Sequence, residues 1–390
     1  MNQEIQKPTP IERFFKLLLV DKKEIYQIIW YALISGIVSL SLPLGIQSII
    51  NLIQGGKVNF SWIVLVIIVV LGSIFMGVLK LMQMRITENI QQNIFARSAF
   101  EFAYRFPKMK WQYLDQYYPP ELANRFFDTL TVQKGIAKLI LDYSASLLTI
   151  IFSLILLSLY HPFFILFGFL LFVMLFFIFK FSFDYGVETS IKESKNKYKI
   201  ASWIQEIARN QNTFKNLNIH NYSLHKNDKL VMGYISAREK HFAVLVRQFF
   251  QLIGFKALTT AGLLLIGGLL VINQELNIGQ FVAAEIIIIG VISSVEKIIL
   301  GLENFYDLLT GLEKLGEATD IELDSASDSN VSTVPEEFIG IELSNICFNY
   351  PGDLTPVLKN INFKVEPKAR LVIFGKNSSG KSTLLKIIAG

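Results

Sequence analysis

The sequence predicts an all-α bundle of six membrane crossings with long helices projecting from one side. The opening part of an α/β unit built around a phosphate-binding loop follows it. Three observations predict this. Charge-free runs cover Ile25–Gly56, Phe60–Leu79 and Tyr143–Phe179, each at or above the roughly 20 residues that cross a bilayer. Lys and Arg crowd the long segments between apolar runs and nearly avoid the short ones. Residues 375–382 read GKNSSGKS, behind the apolar run Leu371–Phe374 and ahead of Leu384, Leu385, Ile387 and Ile388. That is the strand–loop–helix context the GxxxxGK[ST] pattern requires.

Composition agrees. Of 390 residues, 52% are apolar and 32 are Phe, and the formal charge is +5. So much apolar material in uncharged runs argues against an ordinary soluble enzyme. The charge would suit nucleic acid or an anionic membrane surface, and its position beside the apolar runs favours the membrane, so no nucleic-acid partner is expected. Cys347 is the only cysteine and the four His are scattered, which leaves no disulfide scaffold and no metal cluster. The N-terminus, broken by Pro8 and Pro10, lacks the pattern of a signal peptide.

Residues 1–24 form a lead-in. Phe14, Leu17, Leu18 and Phe15 fall on one side of a short helix beside Arg13, Lys16, Lys22 and Lys23. This predicts an interfacial helix with its apolar face in lipid; the alternative is the first turns of the next crossing. The first span contains Pro43, expected to bend it. The 143–179 run is too long for one crossing and splits at His161-Pro162, where proline breaks the helix. The fifth span is Gln248–Gln274 and the sixth about Ile278–Leu300. Within the sixth, Glu285 faces a substrate cavity, lies near the interface or pairs with Lys256. Trp30, Tyr31, Trp62, Tyr143 and Tyr160 sit near predicted ends, as interfacial aromatics do.

Loop charge sets the orientation. Residues 80–142 carry nine Lys/Arg and residues 180–247 carry twelve, whereas the short connections hold only Lys57. Both long segments and both termini are therefore expected in the cytosol. Met82, Ile86, Ile90 and Ile94 recur every four residues, so the second span continues outward as an amphipathic helix. Residues 80–106 would project roughly 40 Å before Pro107. Residues 117–129 read as a turn and a helix start with Glu121 in its first turn. Residues 187–215 and 226–247 form a second hairpin, broken near 216–223. A six-helix domain thus covers 25–315, and the polar, acidic stretch 316–338 is a linker.

The α/β unit covers 339–390. Residues 339–350 alternate as a strand burying Ile341, Leu343, Ile346 and Phe348, and 357–365 form a second strand. In the loop, backbone N–H groups from Gly375, Lys376, Asn377, Ser378, Ser379 and Gly380 can surround phosphate oxygens. Lys381 would bridge β- and γ-phosphates, and Ser382 would place its hydroxyl on Mg²⁺.

GKNSSGKST, the six spans, ELANRFFD at 121–128 and NIGQFVA at 277–283 together resemble an ATP-binding cassette (ABC) exporter half-transporter. The similarity is greatest to the bacterial peptide-, toxin- or type-I-secretion branch, without the leading cysteine-protease domain some members carry. The resemblance implies ATP and Mg²⁺ as cofactors, adenine stacking by Tyr350 and a further phosphate contact from Thr383. It implies short coupling helices around Pro120–Phe127 and Asn212–Tyr222, and a second half-transporter as homo- or heterodimer. It also implies a place in the bacterial inner membrane, an exported substrate such as a peptide or lipid, and a membrane-fusion accessory protein. The family's signature, Walker B and switch motifs have no counterpart in the 390 residues. The chain is therefore read as truncated after Walker A and expected not to hydrolyse ATP alone. The parallel strands that should flank 371–374 are missing as well, which predicts exposed apolar surface there. A non-transporting ATP-binding membrane scaffold, or a defunct truncated transporter, is the alternative.

Overall fold

The computed structural model describes residues 8–56, 60–110, 119–216, 220–324, 340–350 and 355–389. The chain divides into two compact units, Met1–Asp324 and Ser325–Gly390.

The first unit opens with α1 (Pro10–Val20). Thr9 Oγ1 accepts the Glu12 N–H at 3.3 Å while Glu12 Oε2 accepts the Thr9 N–H at 3.1 Å, a reciprocal cap on a helix whose first residue is proline. Helices α2 (Lys22–Ser39) and α3 (Ser41–Gln54) form the first crossing. Their break falls at Leu40, upstream of Pro43, which sits in the first turn of α3 where its missing N–H has no partner to lose. Helix α4 (Phe60–Arg105) is unbroken over 46 residues, roughly 70 Å, and stops at a 3₁₀ turn containing Pro107.

The chain returns through α5 (Pro119–Ala123), a 3₁₀ turn at Asn124–Phe127, α6 (Asp128–Lys138), a π-type turn at Leu139–Tyr143 and α7 (Ser144–Tyr160). Residues 117 and 118, at the start of the predicted turn, lie outside the described residues. His161-Pro162 splits the long apolar run as expected, and α8 (Phe163–Arg209) follows. The second hairpin is interrupted at Asn210 and continues as α9 (Gln211–Asn216) and α10 (His220–Gly262); of the break predicted near 216–223, residues 217–219 lie outside the described residues. A π-type turn leads to α11 (Gly268–Ile272), and α12 (Ile278–Thr319) starts from a second reciprocal cap between Asn277 and Gln280. Among the described residues, six helical stretches are long and apolar enough to cross a membrane. The short turns that include 55–56, 161–162 and 273–277 define one end of the bundle, and the long excursions define the other, here the hairpin end.

Helix α12 enters every core. At the level of the apolar runs Ile287, Val291 and Val295 pack with Phe164 and Leu171 of α8 and Phe255 of α10. Further along, Leu308 and Leu312 meet Ile28, Ile90, Ile94, Val132 and Ile136. At the hairpin tip Ala318 meets Phe102, Met109 and Leu122.

Two expectations need correcting in this unit. Phe14 and Leu17 do not face outward: they pack on the second core, with Phe14 edge-on to Phe305 at 5.4 Å. Of the expected set Phe15 is exposed, and with Ile11 and Leu19, spaced four apart, it forms the exposed apolar side of α1. The linker does not begin at 316. Helix α12 runs to Thr319, Arg13 bonds Asp320, Lys110 Nζ meets Glu322 at 2.6 Å, and Met109 bridges Leu323. These contacts hold the acidic residues as far as Asp324 on the bundle, and 325–338 lie outside the described residues. Tyr143 and Tyr160, two of the aromatics near predicted span ends, donate to the Ile298 carbonyl (3.1 Å) and Gln47 Oε1 (2.6 Å). Trp30 and Trp62 are exposed.

In the second unit β1 (Ile341–Phe348) pairs antiparallel with β2 (Leu358–Val365), from Ile341 opposite Val365 to Phe348 opposite Leu358. The register shifts between Leu343 and Ile346, where Asn345 has φ 57°; this bulge brings Leu343 and Ile346 to one face despite their odd spacing. Leu343, Ile346 and Phe348 are half-buried, but Ile341, expected inside, is exposed.

Gly186 of α8 lies under Tyr306 of α12, and a Cβ there would come within 2.3 Å of the ring. We expect Gly186→Ala to destabilise the bundle by about 1–3 kcal/mol through overpacking, read as a lower unfolding temperature in detergent. Gly77→Ala, with nothing within 4 Å of the added atom, should cause no such fall.

Candidate functional site

The loop from Gly375 to Gly380 runs into α13 (Lys381–Ala389). Its path depends on two left-handed residues, Ser378 at φ 63° and Gly380 at φ 86°. Gly380 is obligatory on two grounds: its conformation suits only glycine, and a Cβ would lie 2.8 Å from Leu358 Cδ2 and 3.2 Å from the Val357 carbonyl. Ser379 donates its N–H to the Lys376 carbonyl at 3.3 Å, and Leu384 donates to Gly380 at 2.8 Å, starting the helix.

Lys381 curls back across the loop. Its Nζ donates to the carbonyls of Gly375 (2.9 Å) and Lys376 (2.7 Å), with Ser379 Oγ at 3.4 Å. The ammonium therefore stands inside the loop at the positive end of α13. Ser382 is exposed beside it. Thr383 is buried, and its Oγ1 lies 3.2 Å from Tyr350 Oη; the Tyr350 ring stands edge-on to Phe348 at 5.0 Å. The fold thus gathers Tyr350 and Thr383, 33 residues apart, at the root of the loop.

One predicted part is absent. Leu371–Phe374 form no ladder among the described residues, and Leu371, Val372 and Phe374 are 55%, 79% and 90% exposed. A buried central strand requires strands on both sides, and the described hairpin supplies none to this segment. The exposed apolar surface expected there is present.

In the first unit the structure joins residues that sequence spacing left separate. The Tyr198 hydroxyl donates to the Asp128 carboxylate, and the Arg125 guanidinium lies 3.7 Å from the Tyr198 ring centre. Arg125 Nε and Lys314 Nζ both donate to Glu317, at 2.8 and 2.5 Å, and Ser202 donates to Glu121 at 3.0 Å. This lattice ties the turn after α5, the start of α6, the far part of α8 and the last turns of α12. Nearer the apolar runs, Thr189 meets His241 Nδ1 (3.0 Å), Ser190 meets Thr310 (2.9 Å) and Gln248 donates to Tyr306 (2.8 Å). At α1 the hydrogen bond to Asp320 raises the pKa of Arg13, so the guanidinium stays charged. Of these partnerships only Lys314–Glu317, three residues apart on one helix, is signalled by local sequence. Of the three settings open to Glu285, the pair with Lys256 does not form; Lys256 Nζ bonds Glu296 at 2.8 Å.

The family model for the ABC transporter transmembrane region matches residues 25–295. The chain belongs to that family. A second model, for the ABC transporter, matches residues 358–390, so the loop and α13 fall within it. Similar proteins include the alpha-hemolysin translocation ATP-binding protein of Escherichia coli O157:H7, 30% identical over 45% of this chain and 25% of its own length. The leukotoxin export ATP-binding protein of Aggregatibacter actinomycetemcomitans is 31% identical over 48% and 26%. The nisin transport ATP-binding protein of Lactococcus lactis subsp. lactis is 32% identical over 44% and 29%. The matched stretch thus spans roughly a quarter of these relatives. A solved bacterial Atm1-family ABC exporter with ATP bound superposes with a TM-score of 0.73 over 94% of this chain and 65% of that one, at 14% identity. That likeness establishes the exporter-type fold. With six membrane-competent stretches, the ABC transporter chain is a multi-pass membrane protein.

Gly380→Ala should strain the phosphate loop by roughly 1–3 kcal/mol. We expect faster amide hydrogen exchange at Leu358–Phe363, the strand its new methyl would push, with no change in α4.

Proposed function

We propose that this chain is a subunit of an ATP-driven exporter. The observation that carries the reading is the presence, on one polypeptide, of the family's six-crossing region and a phosphate loop opening a helix. The loop fits a nucleotide triphosphate with Mg²⁺. Its lysine is already drawn inside the curl, and its glycine corner leaves no room for a side chain.

In this reading, backbone N–H groups of Gly375, Lys376, Asn377, Ser378, Ser379 and Gly380 surround the phosphates, and Lys381 turns its ammonium from the loop carbonyls to phosphate oxygens. Ser382, exposed at the helix start, gives its hydroxyl to Mg²⁺, Thr383 adds a contact, and Tyr350 stacks on adenine. ATP supplies the phosphoryl-transfer free energy that would drive transport. The six-crossing region with its bundle as far as Asp324 works as the transport domain and the stretch from about residue 339 as the start of the cassette, with two such chains, alike or different, forming the working unit. A membrane-fusion partner is a further expectation, drawn from the secretion-type relatives. The Arg- and Lys-rich hairpin end, both termini and the loop lie in the cytosol of a bacterium, and the short turns lie outside its inner membrane.

Lys381→Ala should weaken binding of a fluorescent ATP analogue at least about tenfold, the effect of losing a charge-assisted hydrogen bond of about 1.5–3 kcal/mol. Unchanged affinity would remove the loop from the reading. Orientation has its own test, because Cys347 is the single cysteine and is exposed. A membrane-impermeant maleimide should label it in inside-out vesicles and leave it unlabelled in intact cells; the reverse pattern would place the loop outside. ATP-dependent accumulation of substrate by inside-out vesicles is the test of export itself.

A further inference from the structure

The uncovered sides of the membrane-crossing helices differ in chemistry. On α4 they are Ile63, Ile67, Leu71 and Ile74, and on α8 Ile165, Phe169 and Phe172, all well exposed. Such surfaces match lipid. Helix α12 is different. At 100° per residue, Glu285, Ile289, Ser293, Glu296 and Leu300 fall within an arc of about 80°. Ile289, Ser293 and Leu300 are exposed and the two glutamates are half-buried. The other side of the same stretch, Ala284, Ile287, Ile288, Val291, Val295 and Ile299, is buried. Gly290 borders the stripe, and a Cβ on it would meet nothing within 4 Å.

Ionised groups facing hydrocarbon are strongly disfavoured, and inside membranes they turn to a bundle interior or a water-filled cavity. Here they are on the open side. Glu296 is paired to Lys256 of α10 at 2.8 Å, yet the two side chains remain 35% and 36% exposed. Glu285 has no hydrogen-bond or ion-pair partner among the described residues. Lys297 is twelve residues on, roughly 18 Å along the axis and about 120° around it, too distant to neutralise Glu285.

We propose that this stripe, with Lys256, is the wall of a water-filled path through the membrane, and that Glu285 recognises positive charge on an amphipathic, cationic passenger such as a peptide carrying Lys or Arg. The alternation of carboxylate, hydroxyl and aliphatic groups along the wall suits a molecule with both cationic and apolar parts. The inference rests on the exporter reading and names its passenger class.

Single cysteines test it in native membrane vesicles, in a Cys347→Ser background. Ile289→Cys and Ser293→Cys report on the stripe, and Phe169→Cys on the lipid side. Each is treated with positively or negatively charged methanethiosulfonate, with rates normalised to free cysteine. Both stripe positions should label and Phe169→Cys should not. The cationic reagent should be about tenfold faster, the low end of the rate gain charged clefts produce, and Glu285→Gln should bring the two rates to parity while labelling persists. Stripe labelling no faster than at Phe169→Cys would mean lipid or a second copy covers the stripe, and would overturn the proposal. So would a charge preference indifferent to Glu285→Gln. The labelling needs no nucleotide. A dry stripe with a nucleotide affinity that depends on Lys381 defeats this inference alone, whereas a wet stripe with a nucleotide affinity indifferent to Lys381→Ala defeats the exporter reading.

Discussion

The buried side of α12 is the constraint on which the bundle depends. This helix of 42 residues, roughly 63 Å long, is about twice the roughly 30 Å thickness of hydrocarbon. Its first half packs against α8 and α10, its middle against α2, α4 and α6, and its last turns against the hairpin tip. The close approaches are made at glycine: Gly301 under Tyr143, Gly311 against Val132, and Gly186 of α8 under Tyr306. A bundle pinned along one continuous helix transmits displacement from tip to membrane, because close-packed interiors give little under load.

Polar contacts supply what apolar packing cannot, a fixed register between helices. Arg125 and Lys314 are both buried and share Glu317, so neither charge is stranded; without that carboxylate Lys314 would lose its ion-pair partner and Arg125 would keep only Glu121 at 3.9 Å. Arg97 with Asp21, and Arg13 with Asp320, do the same for the lead-in helix. These groups lie outside the apolar runs, where water can meet part of each. Lys256 and Glu296 are the exception, and their exposure within an apolar stretch leads to the water-lined wall proposed for α12.

The glycine-rich loop obeys more local rules. Two left-handed residues and a helix start give it nearly all its shape, and a lysine six residues from Gly375 can reach back to its carbonyl. The neighbouring apolar segment has the opposite character. Leu371–Phe374 alternates and hydrogen-bonds only when strands flank it, and its exposure among the described residues is what an unflanked central strand should show.

What could be read from the sequence alone is whatever depends on neighbours along the chain. The crossings follow from uninterrupted apolar runs, the split at His161-Pro162 from a missing donor, the long α4 from its four-residue apolar period, and the phosphate loop from glycine spacing. Tertiary structure decided everything that depends on which faces meet. Phe14 turned inward because Leu308 and Phe305 offered a core, and Asp320 and Glu322 became anchors because Arg13 and Lys110 stood opposite. Lys256 chose Glu296 over Glu285 because the packing of α10 on α12 brought that residue within reach. Periodicity places a residue on a side of its helix; only the assembled bundle determines what that side will touch.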